Sequence, residues 1–320
     1  MLIAQQGDKG GAKASPSRWN EALQECAYIP VEYLSTYVAY QTAYFGLEDK
    51  SEVLMHDNKP VGVWPLGIRD GLWVTSNGTE ILPPLLADWL PERVQKRIVA
   101  DCLRRVQELA VKYGAPNWGT SETSMDGGLS LWHRRCMELG GDASVSHALY
   151  VNVGLNTADI LLHMARKSYR SLIAQGRKEF ISSLSLNVAP LKDLHIAVSG
   201  RQTRSDATWE AQQASVDAGE AFCVYLHDRE LRLVGGALFH VSRDESMYAV
   251  GAYDRNLHDK PLGHLVQYQA IEHLCDLDLP WHYLGQRFYE GVSDKELQIA
   301  HFKEGWATHV FPRVTTNLHP

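Results

Sequence analysis

The run SDKELQIAHFKEGW, Ser293 to Trp306, reads as a helix that closes on a lysine. Ser293 and Glu296 form an S-x-x-E capping box that fixes its start, and Gly305 supplies the stop. On the helical wheel Leu297 and Ala300 share one side and Ile299 and Phe302 another, which leaves Lys303 in a narrow polar strip near Glu296 and Ile299. A cation there pairs with Glu296, favours the helix dipole from the surface, or faces a cavity. A second set of cations lies in NTADILLHMARKSYRSLIAQGRKEFISSL. Read as a helix, this segment puts Tyr169, Leu172, Ile173, Gly176 and Phe180 on one side, and Arg166, Arg170 and Arg177 within about 40° of one another on its flank. Guanidiniums in a row suit a phosphate or carboxylate clamp; the alternative is a solvated basic face. The third candidate is HDKPLGHLV, where Lys260 and the helix N-terminus near Leu262 offer an anion site. Pro261 and Gly263 equally well begin a buried helix.

Several other chemistries are excluded. His264, His273, Cys275 and His282 fit no standard zinc spacing, so no metal is expected. There is no G-x-S-x-G elbow, no P-loop and no Rossmann G-x-G-x-x-G. GVWPLG and LVGG read as strands with Gly at close approaches or bulges.

The elements that must position these residues come from a chain of 320 residues, 45% of them hydrophobic, enough for one large domain or two smaller ones. The net charge of −7 means that any nucleic-acid contact needs a local basic patch. Five scattered cysteines without CxxC spacing read as reduced thiols. No apolar run approaches the roughly 18 residues that a membrane helix needs, and no signal-peptide core is visible, so a cytoplasmic location is expected. Residues 1–17, rich in Gly, Ala, Lys and Ser, are expected to be a disordered tail.

The order of elements occurs twice. EVLMHDNKPVGVWPLGI predicts strand, tight turn, strand, with DGLWVTS as the third strand of a meander. A helix from Pro91 to Gly114, a short strand near Asn117 to Thr120, the helix LSLWHRRCMELGG and the strand ASVSHALYVNV follow. From Phe222 the series returns: FCVYLHDRELRLVGGALFHV, SMYAVGAY, the helix LGHLVQYQAIEHLCDLD, the strand PWHYLG, the closing helix and the strand ATHVFPRV. This predicts an internal duplication, with an N-terminal domain at 18–154 and a C-terminal domain at 155–320 that opens with the basic helix.

The second half resembles the FemAB-like acyltransferases of the GNAT superfamily. Four features carry the resemblance: RKSYRSLIAQGRKEF, LVGGALFHV followed by SMYAVGAYDRN, the helix entered by KPLGHLVQYQAIEHL, and YLG followed by DKELQIAHFKEGW. The N-terminal half matches only by architecture. The resemblance implies an α/β (α+β) fold of two tandem GNAT-like domains, each a mixed, mostly antiparallel sheet flanked by helices. It implies transfer of an acyl or aminoacyl group to an amine, with no tightly bound cofactor. The acceptor is an amine of a small molecule, a sugar nucleotide or a peptide. Phe302-Lys303 matches the FK pair associated with the family's cleft, so Lys303 is expected to meet the charge developing on the acyl carbonyl or a donor phosphate.

In a GNAT-like fold the donor lies where two parallel strands splay, here SMYAVGAY and PWHYLG. Tyr253 and Asp254 are then candidates for proton handling, and Tyr283 and Gly285 line the acceptor side. Acetyl-CoA-dependent GNAT enzymes carry Q/R-x-x-G-x-G/A at the pyrophosphate. This chain has Gly263 alone, and Leu265 stands where a small residue lets the phosphate approach. This speaks against CoA, and Lys303 with the Arg-flanked helix resembles the FemAB pattern, so the donor expected is aminoacyl-tRNA ahead of acyl-CoA. An acyl-CoA-dependent enzyme and a degenerate GNAT binding module are the alternatives.

Overall fold

The computed structural model describes residues 16–318 except 116, 288, 290 and 291. The expected tail lies outside the described residues up to residue 15. Pro16 already opens a helix, Pro16–Gln24, that buries Trp19, Ala22 and Leu23.

Eight strands form one sheet. From edge to edge they are Trp118–Thr123, His309–Leu318, Asp142–Asn152, Trp281–Arg287, Glu245–Tyr253, Leu233–Val241, Ala221–His227 and Ile181–Ser185. Every neighbouring pair is antiparallel except Glu245–Tyr253 beside Trp281–Arg287. That parallel pair is registered only at Glu245↔Trp281, Ser246↔His282 and Met247↔Tyr283, and beyond it the strands part. The splay expected between SMYAVGAY and PWHYLG is thus present.

Alternation along the strands sends side chains into two cores. On one face, Phe222, Phe239 and Leu284 pack with Tyr169 and Ile173 of the basic helix Lys167–Glu179 and with Leu265, Val266 and Ile271 of Leu262–Asp276. The latter helix is apolar on most sides, as a helix enclosed by sheet and neighbours must be. On the other face, Met247 and Tyr283 pack with Trp19, Tyr33 and Tyr37 from the N-terminal segment. Each large apolar side chain buried here is worth about 1.5–3 kcal/mol.

Four features depart from the expectations. The hairpin Glu52–His56 and Lys59–Trp64 has its tight turn at Asp57 and Asn58, with φ of 48° and 61°, but the meander stops there. Pro65 cannot extend a ladder, and Trp73–Thr75 pairs instead with Gly67–Arg69 in a separate small sheet. The basic segment is not one helix: Ala158–Met164 ends, Arg166 takes extended geometry as N-cap, and Lys167–Glu179 begins anew. Two helices that the sequence reading passed over, Ala189–Ser199 and Asp206–Asp217, cover the second face. The last strand, His309–Leu318, does not stay with the C-terminal residues. It inserts between Trp118–Thr123 and Asp142–Asn152, so one sheet crosses the boundary expected at 154/155.

Candidate active site

The closing helix, Asp294–Glu304, starts as the capping box requires. Ser293 accepts from the Glu296 N–H, and Glu296 accepts from the Ser293 N–H at 2.8 Å. Glu296 is thereby occupied and does not pair with Lys303, and the neighbouring Glu304 faces Arg287 at 3.6 Å. Lys303 is mostly buried and has no carboxylate partner among the described residues. Its amine lies against the bare backbone of Gly285, where a Cβ would stand 2.5 Å from Nζ, and 5.8 Å from the Tyr248 ring centroid. Burial pushes the ammonium down to about 8.

Two irregularities make room for this. Gly285 has φ +118°, a conformation that L side chains rarely adopt, at a bulge where the pairing with Asp142–Asn152 slips. On the partner strand, Leu238 faces Val250 while Phe239 faces Tyr248, so Ala249 is an extra residue. Tyr248 and Tyr253, five apart, are thereby brought to one face, where both pack against the same core and their phenols influence each other. Gly251 lacks the Cβ that would strike the Tyr248 hydroxyl. The closed end of the splay is locked by His282, fully buried, whose Nδ1 meets Ser246 Oγ and whose Nε2 meets the Gln267 amide, both at 2.6 Å. Burial lowers this imidazole to about 3 and keeps it neutral. Both ring nitrogens are engaged, and among the described residues no group of His, Cys, Asp and Glu is placed to hold a metal ion.

Phe302 turns its ring toward the other helices. It lies 4.9 Å from His264 and 6.1 Å from Tyr169, centroid to centroid. Tyr169 donates to the Phe302 carbonyl at 2.9 Å, and Gly305 has no Cβ to collide with the Tyr169 hydroxyl. Arg166 joins the same group, with Nη1 2.7 Å from His301 Nε2 and its guanidinium over Tyr169. His264, buried beside this guanidinium, is lowered to about 4. Arg166, His301, Tyr169, His264 and Phe302 thus form a chain of contacts, while the amine of Lys303, next in sequence, lies at Gly285 and the Tyr248 ring.

The remaining cations are differently placed. Lys260 is bound to Glu179 at 2.6 Å, and Arg177 to Glu272 at 2.6 Å while lying over Tyr268. Both charges are met by the protein itself, contrary to an expectation of free anion ligands. Arg170 is half-buried with no ion pair among the described residues. At the helix entry a Cβ on Gly263 would lie 3.8 Å from Phe302 and 3.9 Å from Tyr253, so aromatic rings, not open space, front this N-terminus. Leu265 does not block it. Leu265 points back into Gly176 of the basic helix, where a Cβ would be 2.6 Å away. Asp254 caps a short turn by accepting from the Asn256 N–H at 3.0 Å. Tyr283 projects to the opposite face of its strand. Tyr169 and Tyr248 are the lining residues the sequence reading missed; only the Ala249 bulge explains why Tyr248 shares a face with Tyr253.

Among the described residues no helix is long and apolar enough to cross a membrane. No protein-family description and no curated protein matches the sequence. Solved structures do. FemX superposes with a TM-score of 0.68 at 13% identity, covering 95% of this chain and 96% of that one. L-PGS from Bacillus licheniformis gives 0.61 at 11% identity, covering 97% and 93%. A tandem GNAT protein from the clavulanic acid biosynthesis pathway gives 0.56 at 12% identity, covering 95% and 93%. The protein thus has the FemAB-like tandem GNAT fold.

Proposed function

We propose that the protein is an N-acyltransferase that moves an acyl or aminoacyl group from an activated ester or thioester to an amine. The observation that carries this reading is Lys303: an ammonium with no carboxylate partner among the described residues, at the gap between two parting parallel strands and laid across a glycine. Keeping such a charge without a counter-ion costs stability, and structural cations are normally paired. Its use is to face negative charge that appears only during reaction. When an amine attacks the acyl carbon, the C–N bond forms and the carbonyl oxygen becomes an oxyanion that Lys303 stabilises. The ester or thioester bond then breaks, and the proton released by the amine goes to the leaving oxygen or sulfur. Arg166 and Arg170 would hold the donor's phosphates.

Aminoacyl-tRNA is favoured as donor over acyl-CoA. Phe302 and Tyr253 front the helix N-terminus that would otherwise cradle a pyrophosphate, and Lys260 is held by Glu179. Hydroxylamine serves as a generic amine probe. Lys303-dependent formation of an aminoacyl hydroxamate from charged tRNA is the expected result, with no heat on titrating coenzyme A or acetyl-CoA at low salt. Micromolar binding of coenzyme A would reverse the donor assignment. If neither donor yields a Lys303-dependent hydroxamate, the fold serves as a binding module.

A further inference from the structure

The eight-stranded sheet ends differently on its two sides. At one edge, Trp118–Thr123 is covered by its own chain: the Ile81 N–H donates to the Gly119 carbonyl at 2.8 Å, and the Thr120 hydroxyl donates to the Ile81 carbonyl at 2.7 Å. At the other, Ile181–Ser185 is bonded along one side only, to Ala221–His227, from Ile181↔His227 to Ser185↔Cys223. Among the described residues no other strand pairs with it. Such an edge offers a row of unpaired N–H and C=O groups, which monomeric proteins ordinarily blunt with Lys, Pro, a bulge or an inward charge. The run ISSLSLN, Ile181 to Asn187, holds no charge and no Pro, and its pairing has no bulge. It presents apolar side chains instead, with Ile181 43%, Leu184 44% and Leu186 68% exposed.

The run also suits a copy of itself. In an antiparallel pair with Leu184 opposite its counterpart, Ser183 meets Ser185 and Ser182 meets Leu186, so no charge is buried at the seam. The two ends of the edge differ in sign. At the Ile181 end, Arg229 donates to the Lys178 carbonyl at 3.1 Å, and neither Arg229 nor Lys178 has a carboxylate partner among the described residues. At the Leu186 end, Gln213 Nε2 donates to the Leu186 carbonyl at 3.0 Å and to Asp217 at 2.8 Å, and this carboxylate has no cationic partner among the described residues. Antiparallel pairing sets the basic end of one copy against the acidic end of the other.

We propose that Ile181–Asn187 is a homodimer interface, in which the same edges of two copies pair about a twofold axis at Leu184 and join two sheets into one. Because the opposite edge is covered by Ile81, association stops at two copies. The gap beside Lys303 lies between Glu245–Tyr253 and Trp281–Arg287, inward of this edge, so the interface is independent of the acyltransferase reading. A seam of this length buries less than a standard interface, which makes the dimer a weak one.

Sedimentation of the full chain from about 1 to about 300 µM tests this, with a monomer–dimer midpoint expected in the tens of micromolar and no larger species. Leu184→Lys sets two ammonium groups opposite each other and is expected to raise the midpoint at least about tenfold, with a melting temperature near that of the parent because the site is half-exposed. Met55→Lys, on the separate hairpin, should leave the midpoint unchanged. In the parent, amide exchange across Ile181–Asn187 should slow as concentration rises, a readout that needs no variant. A parent that stays monomeric throughout, growth beyond the dimer, a dimer retained by folded Leu184→Lys, or a dimer that forms without slowed exchange at this strand overturns the proposal.

Discussion

Arg313 and Lys303 are both withdrawn from water, and the protein treats them in opposite ways. Arg313, 5% exposed, lies in the strand shared with the N-terminal half; it is bound by Glu80 and Ser121, and its pKa is raised by its anionic neighbours despite burial. Lys303 has the Tyr248 ring and the bare backbone of Gly285 beside its amine and no carboxylate partner among the described residues, and burial drives it down to about 8. A buried charge with a counter-ion holds structure together. One without a counter-ion is a cost to the fold, and such costs are found where a ligand supplies the missing charge.

The comparison can be broken at either end. Lys303→Met is expected to lower turnover by about a hundredfold while leaving the melting temperature unchanged or higher, since an unpaired buried charge is removed. A variant that loses turnover and stability together would make Lys303 a structural residue. Arg313→Met should instead cost about 3–5 kcal/mol of stability, because Glu80 is left without its partner, as denaturant titration will read. Gly285→Ala forces a side chain into a φ of +118° and against the amine; a loss of about tenfold in kcat with a smaller change in KM is expected.

The pH dependence sharpens the same contrast. The folded-state pKa of Lys303 lies below its unfolded value, so its destabilising effect is complete below about pH 8 and fades as pH rises toward about 10.5. Turnover should therefore fall through about pH 8 while the Lys303 contribution to stability improves. Parallel trends in the two would exclude a charged Lys303 from the reaction. The smallest effect is expected at Arg177→Gln, whose ion pair with Glu272 is exposed: under about 1 kcal/mol of stability, checked by thermal melting.

Much of this was legible in the sequence, and the limits have physical causes. The capping box, the stop at Gly305 and the lysine before it are local signals, and the resemblance to a GNAT-like fold pointed to the strands that splay. The Tyr248–Tyr253 pair was not readable, because strict alternation puts residues five apart on opposite faces and the single extra residue Ala249 reverses that. Gly285 was expected to line the site, but its role as the notch for Lys303 depends on a slip in a strand pairing between residues far apart in sequence. The basic helix shows the opposite error. The wheel treated Arg166 as helical, although it is the extended N-cap of Lys167–Glu179, and could not show that Glu272 takes up the Arg177 charge.

The inserted strand His309–Leu318 bears on how the protein is made. During synthesis, Trp118–Thr123 and Asp142–Asn152 leave the ribosome long before the strand that bridges them, so each waits with an open edge. The first half cannot finish its sheet until nearly the whole second half has been translated. Its folding is therefore tied to a late, long-range closure, and aggregation through those waiting edges is the hazard the cell must manage.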